Sequence, residues 1–414
     1  MLVPGGGTKG GYFMSEQLNH TQNSEIVYID FSMTSMSIAQ LKIKIRKTSN
    51  VVWVISWLEA IPLHGIGIFD YIFCTGVLHH LKDPQTGLRI IKNVQPTKGG
   101  GGAIMVYGKY GRAGIYQIQH LLRTTNEKEA TMTEQILNAK KILDSLPNNH
   151  WFAHRNSSDI QSMGDIGIYD LLLHKRDVAY SIKDLYEWVE KSSYDLVDFS
   201  VAELRTKLSP RLRFVDKLLY LSVARKRRFY QQWITELMCG NVAKQDAYVS
   251  TRKDAKASMA SSNHVVYSYG SPIGFRNIIE DLGNRRKVRE ETFISAILAN
   301  SFVNEEEQSF ATNLNRLHTA VRVTEFAFPF TEFSRFVIIE LTKKPIKPKN
   351  LLQIIETFKS TVSSNLTDDL ISKEFEYIFS YLENTGVFLI KHSSVGVFPK
   401  TCCRNRYRIL GIGG

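Results

Sequence analysis

The first hundred residues alternate between short apolar runs and stretches in which apolar residues recur every three or four positions. The runs fall at 26–29, 51–55, 71–73 and 103–107, and each gives way to small, polar or acidic residues. Continuous apolar runs, rather than strict alternation, mark strands buried on both faces by helices. Between them, 14–23 and 32–47 read as helices. Ser32 is placed to cap the second, and Ile38, Leu41 and Ile45 are spaced to face a sheet. The third strand is expected to run on to Pro62, with a loop at 64–67, and 84–94 reads as another helix. This order predicts an open, mostly parallel α/β sheet whose ligand crevice lies beyond the carboxyl ends of the strands.

Those ends carry the chemistry. Gly5, Gly6 and Gly7 follow the first run, where the absence of a Cβ lets a ligand approach the backbone. Asp30 ends the next run, 23 to 25 positions later, near the spacing of about 20 at which a carboxylate meets a ribose. The pair favours an adenine nucleoside.

FDYIFCTGVLHHLKDP, 69–84, resembles the fourth-strand segment of class I S-adenosylmethionine-dependent methyltransferases, and Gly5-Gly6-Gly7-Thr8 resembles their first glycine motif. The order of glycine loop, acidic strand end, third strand (VVWVISWLEAIP, 51–62), GVLHH and glycine-preceded fifth strand (GGGAIMVYG, 100–108) is also that family's. The resemblance covers roughly the first 110 residues. It implies a Rossmann-like seven-stranded sheet with helical insertions, and S-adenosyl-L-methionine as cofactor. It also implies a cofactor site of Gly5, Gly6, Gly7, Thr8, Asp30, Phe31, Trp57, Leu58, Cys74, Thr75 and Gly76. His79 and His80 follow the fourth strand, where the methyl group is expected, and either is a candidate general base. Tyr107, Tyr110 and Arg112, at the end of the fifth strand, are candidates for orienting the acceptor.

The chain departs from the family at three positions. Val3 stands where the family usually has an acid, Lys9 replaces the third glycine unless Gly10 serves, and Trp57 replaces the acid after the third strand. Trp57 offers an aromatic face to adenine instead. The first strand has only three residues before Pro4, which suggests a chain shortened at its N-terminus.

Residues 113–179 are expected to form a helical cap. Its part 150–179 concentrates His150, Trp151, His154, Asp165, Asp170 and His174 near a substrate pocket. Helix then strand at 180–199, and a strand at 247–250, would complete seven strands, so 1–253 reads as the cofactor-binding domain. One helix is expected at 216–238, carrying the basic cluster 225–228. Residues 254–263 are a linker by composition, and 264–400 a smaller, mainly α domain. Within it, 333–391 resembles a winged-helix or peptide-chaperone-like domain, with helices at 334–342, 349–360 and 368–385 and a strand at 387–390. The acidic last helix argues against the DNA major groove and leaves a protein partner as the expectation.

Composition changes the picture little. With 414 residues, 43% hydrophobic and 22% charged, the chain has ample core for two or three domains. Four cysteines without CxxC spacing give no reason to assign a metal. No apolar run approaches 18 residues, so a cytoplasmic protein without a membrane span is expected. The formal charge of +12 keeps RNA open as a partner. Three readings follow: a methyltransferase acting on a small molecule, a catalytically inactive cofactor-binding or scaffold protein, and an RNA-modifying methyltransferase.

Overall fold

The computed structural model describes residues 1–8, 24–45, 50–97, 99–127, 129–152, 164–200, 207–210, 216–253, 264–268, 351–361 and 388–392, together with positions 204, 213, 214, 255, 333, 336, 337, 340, 367 and 371. The chain divides into two compact units, 1–200 with 225–255, and 201–224 with 256–414. The segment 201–224 thus groups with the second unit and not with the sheet.

The first unit begins with β1 (Leu2–Pro4), β2 (Ile26–Asp30), α1 (Met33–Ile45), β3 (Val51–Ile55), β4 (Tyr71–Thr75), α2 (Pro84–Asn93) and β5 (Gly101–Tyr107). Two helices, α3 (Ala113–Thr125) and α4 (Met132–Asp144), lead to α5 (Asp165–Ile168), which runs on as a π-helical turn, Tyr169–Leu173. Then come α6 (Ile182–Lys191) and β6 (Asp195–Phe199). In the second unit lies α7 (Lys217–Ala224); the chain re-enters the first with α8 (Arg228–Cys239) and β7 (Lys244–Ser250). Beyond, the second unit contributes β8 (His264–Ser268), α9 (Leu351–Thr361) and β9 (Phe388–His392), with β8 and β9 paired antiparallel. The helix expected at 14–23 lies outside the described residues, as do nearly all residues of those expected at 334–342 and 368–385 and of the linker.

Seven strands form one sheet in the order β3-β2-β1-β4-β5-β7-β6. β1 to β5 run parallel, and β7 enters antiparallel between β5 and β6. Chain order reverses between β1 and β4, which is the switch point where such sheets bind ligands. All five residues of β2 are buried, as a central strand covered on both faces requires.

Three expectations are corrected. α1 faces the sheet with Met36, Ala39 and Ile43, while Ile38, Leu41 and Ile45 are 39%, 62% and 75% exposed. Ser32 does cap it, its Oγ accepting the Ser35 N–H at 3.2 Å. The third strand ends at Ile55, and Leu58–His64 forms a 3-10 helix. The single helix at 216–238 is two, α7 and α8, with Arg225, Lys226 and Arg227 in the break. By contrast Ser181 caps α6 through a reciprocal capping box with Asp184, and Leu185, Trp188 and Val189 form its buried face, as expected.

Residues of α3, α4, Phe152 and the 168–172 segment form a separate core of Ile115, Ile118, Leu122, Ala139, Phe152, Ile168, Leu171 and Leu172. No described helix is long and apolar enough to cross a membrane.

Candidate active site

The glycine turn is built against its neighbours. A Cβ on Gly5 would lie 2.5 Å from a methyl of Val77, and one on Gly6 would lie 2.0 Å from the Tyr28 ring, so neither position admits a side chain. Gly7 differs: its φ is +57° and nothing lies within 4 Å of where its Cβ would be. The turn is tied down from three sides. The Gly7 N–H donates to Asp30 Oδ2 at 2.7 Å, the Tyr28 hydroxyl donates to the Gly7 carbonyl at 2.6 Å, and Lys42 Nζ donates to the Thr8 carbonyl at 2.9 Å.

Asp30 itself is buried, and its other oxygen accepts the Ser32 N–H at 2.8 Å. Each carboxylate oxygen retains a second acceptor lone pair. The residue therefore joins the glycine turn to the end of β2 and keeps capacity for hydroxyl donors.

At the ends of β2 and β3, Phe31 and Trp57 stack with centroids 4.2 Å apart and an interplanar angle of 7°. They are 58% and 61% exposed, an unusual position for two large apolar rings and one suited to a planar ligand. Beside them Ser56 Oγ and His64 Nε2 are 2.7 Å apart. Leu58 is buried below. In β4, Cys74 is fully buried, which pushes its thiol pKa up, so it packs without offering a thiolate. Thr75 is half-buried, and Gly76 turns the chain at φ +76°.

A second group of side chains meets where β4 and β5 end. His79 and His80 lie in a 3-10 turn, Leu78–His80. His79 is completely buried, its ring 3.8 Å from that of Tyr107 between centroids. Neither of its nitrogens has a hydrogen-bond partner among the described residues. Burial, followed by the nearby His80 and Arg112, holds its pKa well below the ordinary imidazole value, so it is neutral. His80 is half-buried and stays neutral for the same first reason. Its Nδ1 lies 2.7 Å from the Arg176 carbonyl oxygen. A carbonyl cannot donate, so the proton is on Nδ1 and Nε2 carries the lone pair.

Arg112 is where the site departs from the sequence expectation. Its side chain is only 2% exposed, its Cζ lies 3.5 Å from the Tyr107 ring centroid, and Nη2 pairs with Asp177 Oδ2 at 2.7 Å. Tyr116 and Gln119 also donate to Asp177, at 3.1 and 2.9 Å. Arg112 therefore sits beneath Tyr107 as support and is not exposed to an acceptor; Tyr110 is half-buried in the following turn, Tyr110–Arg112.

The structure thus brings together the glycine turn with Asp30, the aromatic pair, and the histidine group. Of the residues singled out in 150–179, His174 joins the histidines, its ring centroid 4.0 Å from that of His80. Asp165 pairs with Lys140 on the cap surface, Trp151 is exposed, and His154 lies outside the described residues. Asp177 was not anticipated: it stands 65 positions from Arg112, and no local pattern marks it. Among the described residues no group of three or more His, Cys, Asp or Glu is placed to hold a metal ion.

Residues 6–99 match a family described as a methyltransferase domain. An uncharacterized protein of Synechococcus sp. is 27% identical over 185 residues, 43% of this chain and 43% of that protein, so the chain spans less than half of that relative's length. Among solved structures, PKMT2 from Rickettsia typhi superposes with a TM-score of 0.55 at 14% identity, covering 94% of this chain and 70% of that one. The same protein in complex with AdoHcy gives the same values. At that identity the likeness is one of fold. The matched residues 6–99 run from the glycine turn through the aromatic pair to the histidine turn.

Proposed function

We infer that the first unit, a class I methyltransferase fold carrying a methyltransferase domain, binds S-adenosyl-L-methionine and transfers its methyl group to an acceptor bearing a hydroxyl or amine proton. The observation that carries this reading is the bond between Gly7 N–H and Asp30, made at the strand ends beside the switch point. The AdoHcy complex of the Rickettsia typhi protein supports the choice of cofactor.

The residues present fit that group. The open side of Gly7 leaves room for a chain to pass close to the backbone, and the free lone pairs of Asp30 suit ribose hydroxyls. The exposed Phe31 and Trp57 faces suit adenine, and the nitrogens of His79, unpartnered among the described residues, suit a polar partner. When bound, the cofactor supplies an electrophilic methyl carbon on a sulfonium.

The chain's own contribution is alignment and proton removal. Alignment of the acceptor in line with the methyl carbon and sulfur is worth as much as about 7–11 kcal/mol. His80, neutral and with its Nε2 lone pair free of the Arg176 contact, accepts the acceptor's proton as the new bond to carbon forms. Tyr107, braced between His79 and Arg112, holds the floor beneath it.

The test is calorimetric titration of the full chain with S-adenosylmethionine and S-adenosylhomocysteine. Micromolar binding that Asp30→Ala weakens by at least about tenfold is expected, since the substitution removes charge-assisted hydrogen bonds worth roughly 1.5–3 kcal/mol. No binding by the unsubstituted chain would leave a scaffold protein as the reading. A small-molecule acceptor is proposed, and steeply salt-dependent RNA binding would replace it with a nucleic-acid acceptor.

A further inference from the structure

The Arg176 carbonyl is contacted twice. His80 Nδ1 reaches it at 2.7 Å and His174 Nδ1 at 2.5 Å, while the two rings lie 4.0 Å apart between centroids. Each nitrogen that meets a carbonyl oxygen at such a distance must bring a proton; two lone pairs would repel. The Arg176 N–H also points to His174 Nδ1, at 3.2 Å, but the shorter contact decides the tautomer. Two histidines 94 positions apart in the chain therefore share one acceptor.

We propose that His174 is a positioning residue for His80: by holding the Arg176 carbonyl it keeps the His80 proton on Nδ1 and leaves Nε2 as the proton acceptor of the site. This rests on the methyltransferase reading above. The carbonyl would otherwise be held from one side alone, since the following residues are anchored by Asp177 on Arg112, Tyr116 and Gln119, and by the Val178 N–H on the His79 carbonyl at 3.2 Å. His174 supplies the hold from the preceding side, as an imidazole that closes a turn on the backbone two residues on.

The surroundings suit a proton acceptor. Asp170 and Asp177 act on His80 as the nearby negative charges, with His174 as the opposing one; the ring centroids of His79 and Tyr107 lie 4.2 and 6.0 Å from its own. The proton taken from the acceptor rests on Nε2, and the imidazolium so formed keeps its Nδ1–H on the Arg176 oxygen. The methyl–sulfur bond breaks with its electron pair on sulfur as the acceptor–methyl bond forms.

The experiment is nitrogen-15 NMR of the histidine rings in the full chain, with and without S-adenosylhomocysteine, using His80→Phe to assign the His80 signals. The wild-type His80 ring is expected as the Nδ1–H tautomer. His174→Phe keeps a ring but loses the donor, and should turn His80 into a mixture of tautomers. His174→Asn, whose amide can donate to the same carbonyl, should restore the single tautomer. S-Adenosylhomocysteine affinity is expected to stay within about twofold in both variants. A wild-type His80 in the Nε2–H form, or a His80 tautomer unchanged by His174→Phe, overturns the proposal. Absence of S-adenosylhomocysteine binding to the wild type instead overturns the methyltransferase reading, and the tautomer of the free chain still tests the His174 contact.

Discussion

Glu236, on α8, is fully buried, with one oxygen accepting the Ile182 N–H at 2.8 Å and the other the Gln245 amide at 3.3 Å. Burial raises its pKa to about 7. Because the folded value is raised above the unfolded one, its contribution to stability is fully present below about pH 4.5 and is lost as the pH rises through about 7. The span is worth up to about 3 kcal/mol. His79 and His80, with lowered values, add a slope of opposite sign, since protonating them below about pH 6.5 favours the unfolded chain. Glu236→Gln should therefore flatten the decline between about pH 4.5 and 7 while leaving the histidine slope, as urea denaturation at a series of pH values would record. Parallel wild-type and variant profiles would show that Glu236 does not retain its proton there. Glycines, Asp30 and the paired histidines stood out in the sequence because the chemistry of each is local. His174, Asp177 and Glu236 act on residues 94, 65 and 54 positions away, and no pattern along the chain could reveal such partners.

Strands were legible as apolar runs, including β3, which the sequence places at 51–55 although none of its five residues is buried. Strands covered on both faces must be apolar throughout, so β2, β4 and β5 appeared as runs; β6 was found near its limits, whereas of β7 (Lys244–Ser250) only 247–250 was read as strand. α1 misled because it carries two apolar stripes with the same helical spacing, Met36, Ala39 and Ile43 on one side and Ile38, Leu41 and Ile45 on the other. Periodicity cannot choose between them. Small Ala39, packed with Val3, Ile26 and Tyr28, lets the first stripe approach the strands. Met36→Ala should then cost about 2–4 kcal/mol, whereas Leu41→Lys or Ile45→Lys should change stability by about 0.5 kcal/mol or less. Equal losses from both stripes in denaturation would mean that the second is also covered. The break between α7 and α8 escaped because nothing in Arg225-Lys226-Arg227 forbids helix; Arg228 marks it only in three dimensions, pairing with Asp198 at 2.6 Å and the Val197 carbonyl at 2.7 Å.

For the whole molecule, binding at the strand ends is a stability term as well as a chemical one. A ligand at a free concentration of 100 times its Kd stabilises the folded form by about 2.7 kcal/mol. S-Adenosylhomocysteine should accordingly move a component of the full chain's denaturation curve by that amount, and a curve that does not move at saturating ligand would count against a site in the first unit. The antiparallel β7 has a consequence of another kind, in the order of synthesis. β5 pairs with β7 along its whole length, from Gly101 with Ser250 to Tyr107 with Lys244, and β6 joins the sheet only through β7. A ribosome adding about 5–20 residues per second leaves the edge of β5 open for roughly 7–30 seconds before the strand that closes it exists. During that interval the nascent chain carries an apolar strand with unpaired amides beside the histidine turn, and whatever shields that edge from a neighbouring chain decides how much of the protein reaches its sheet.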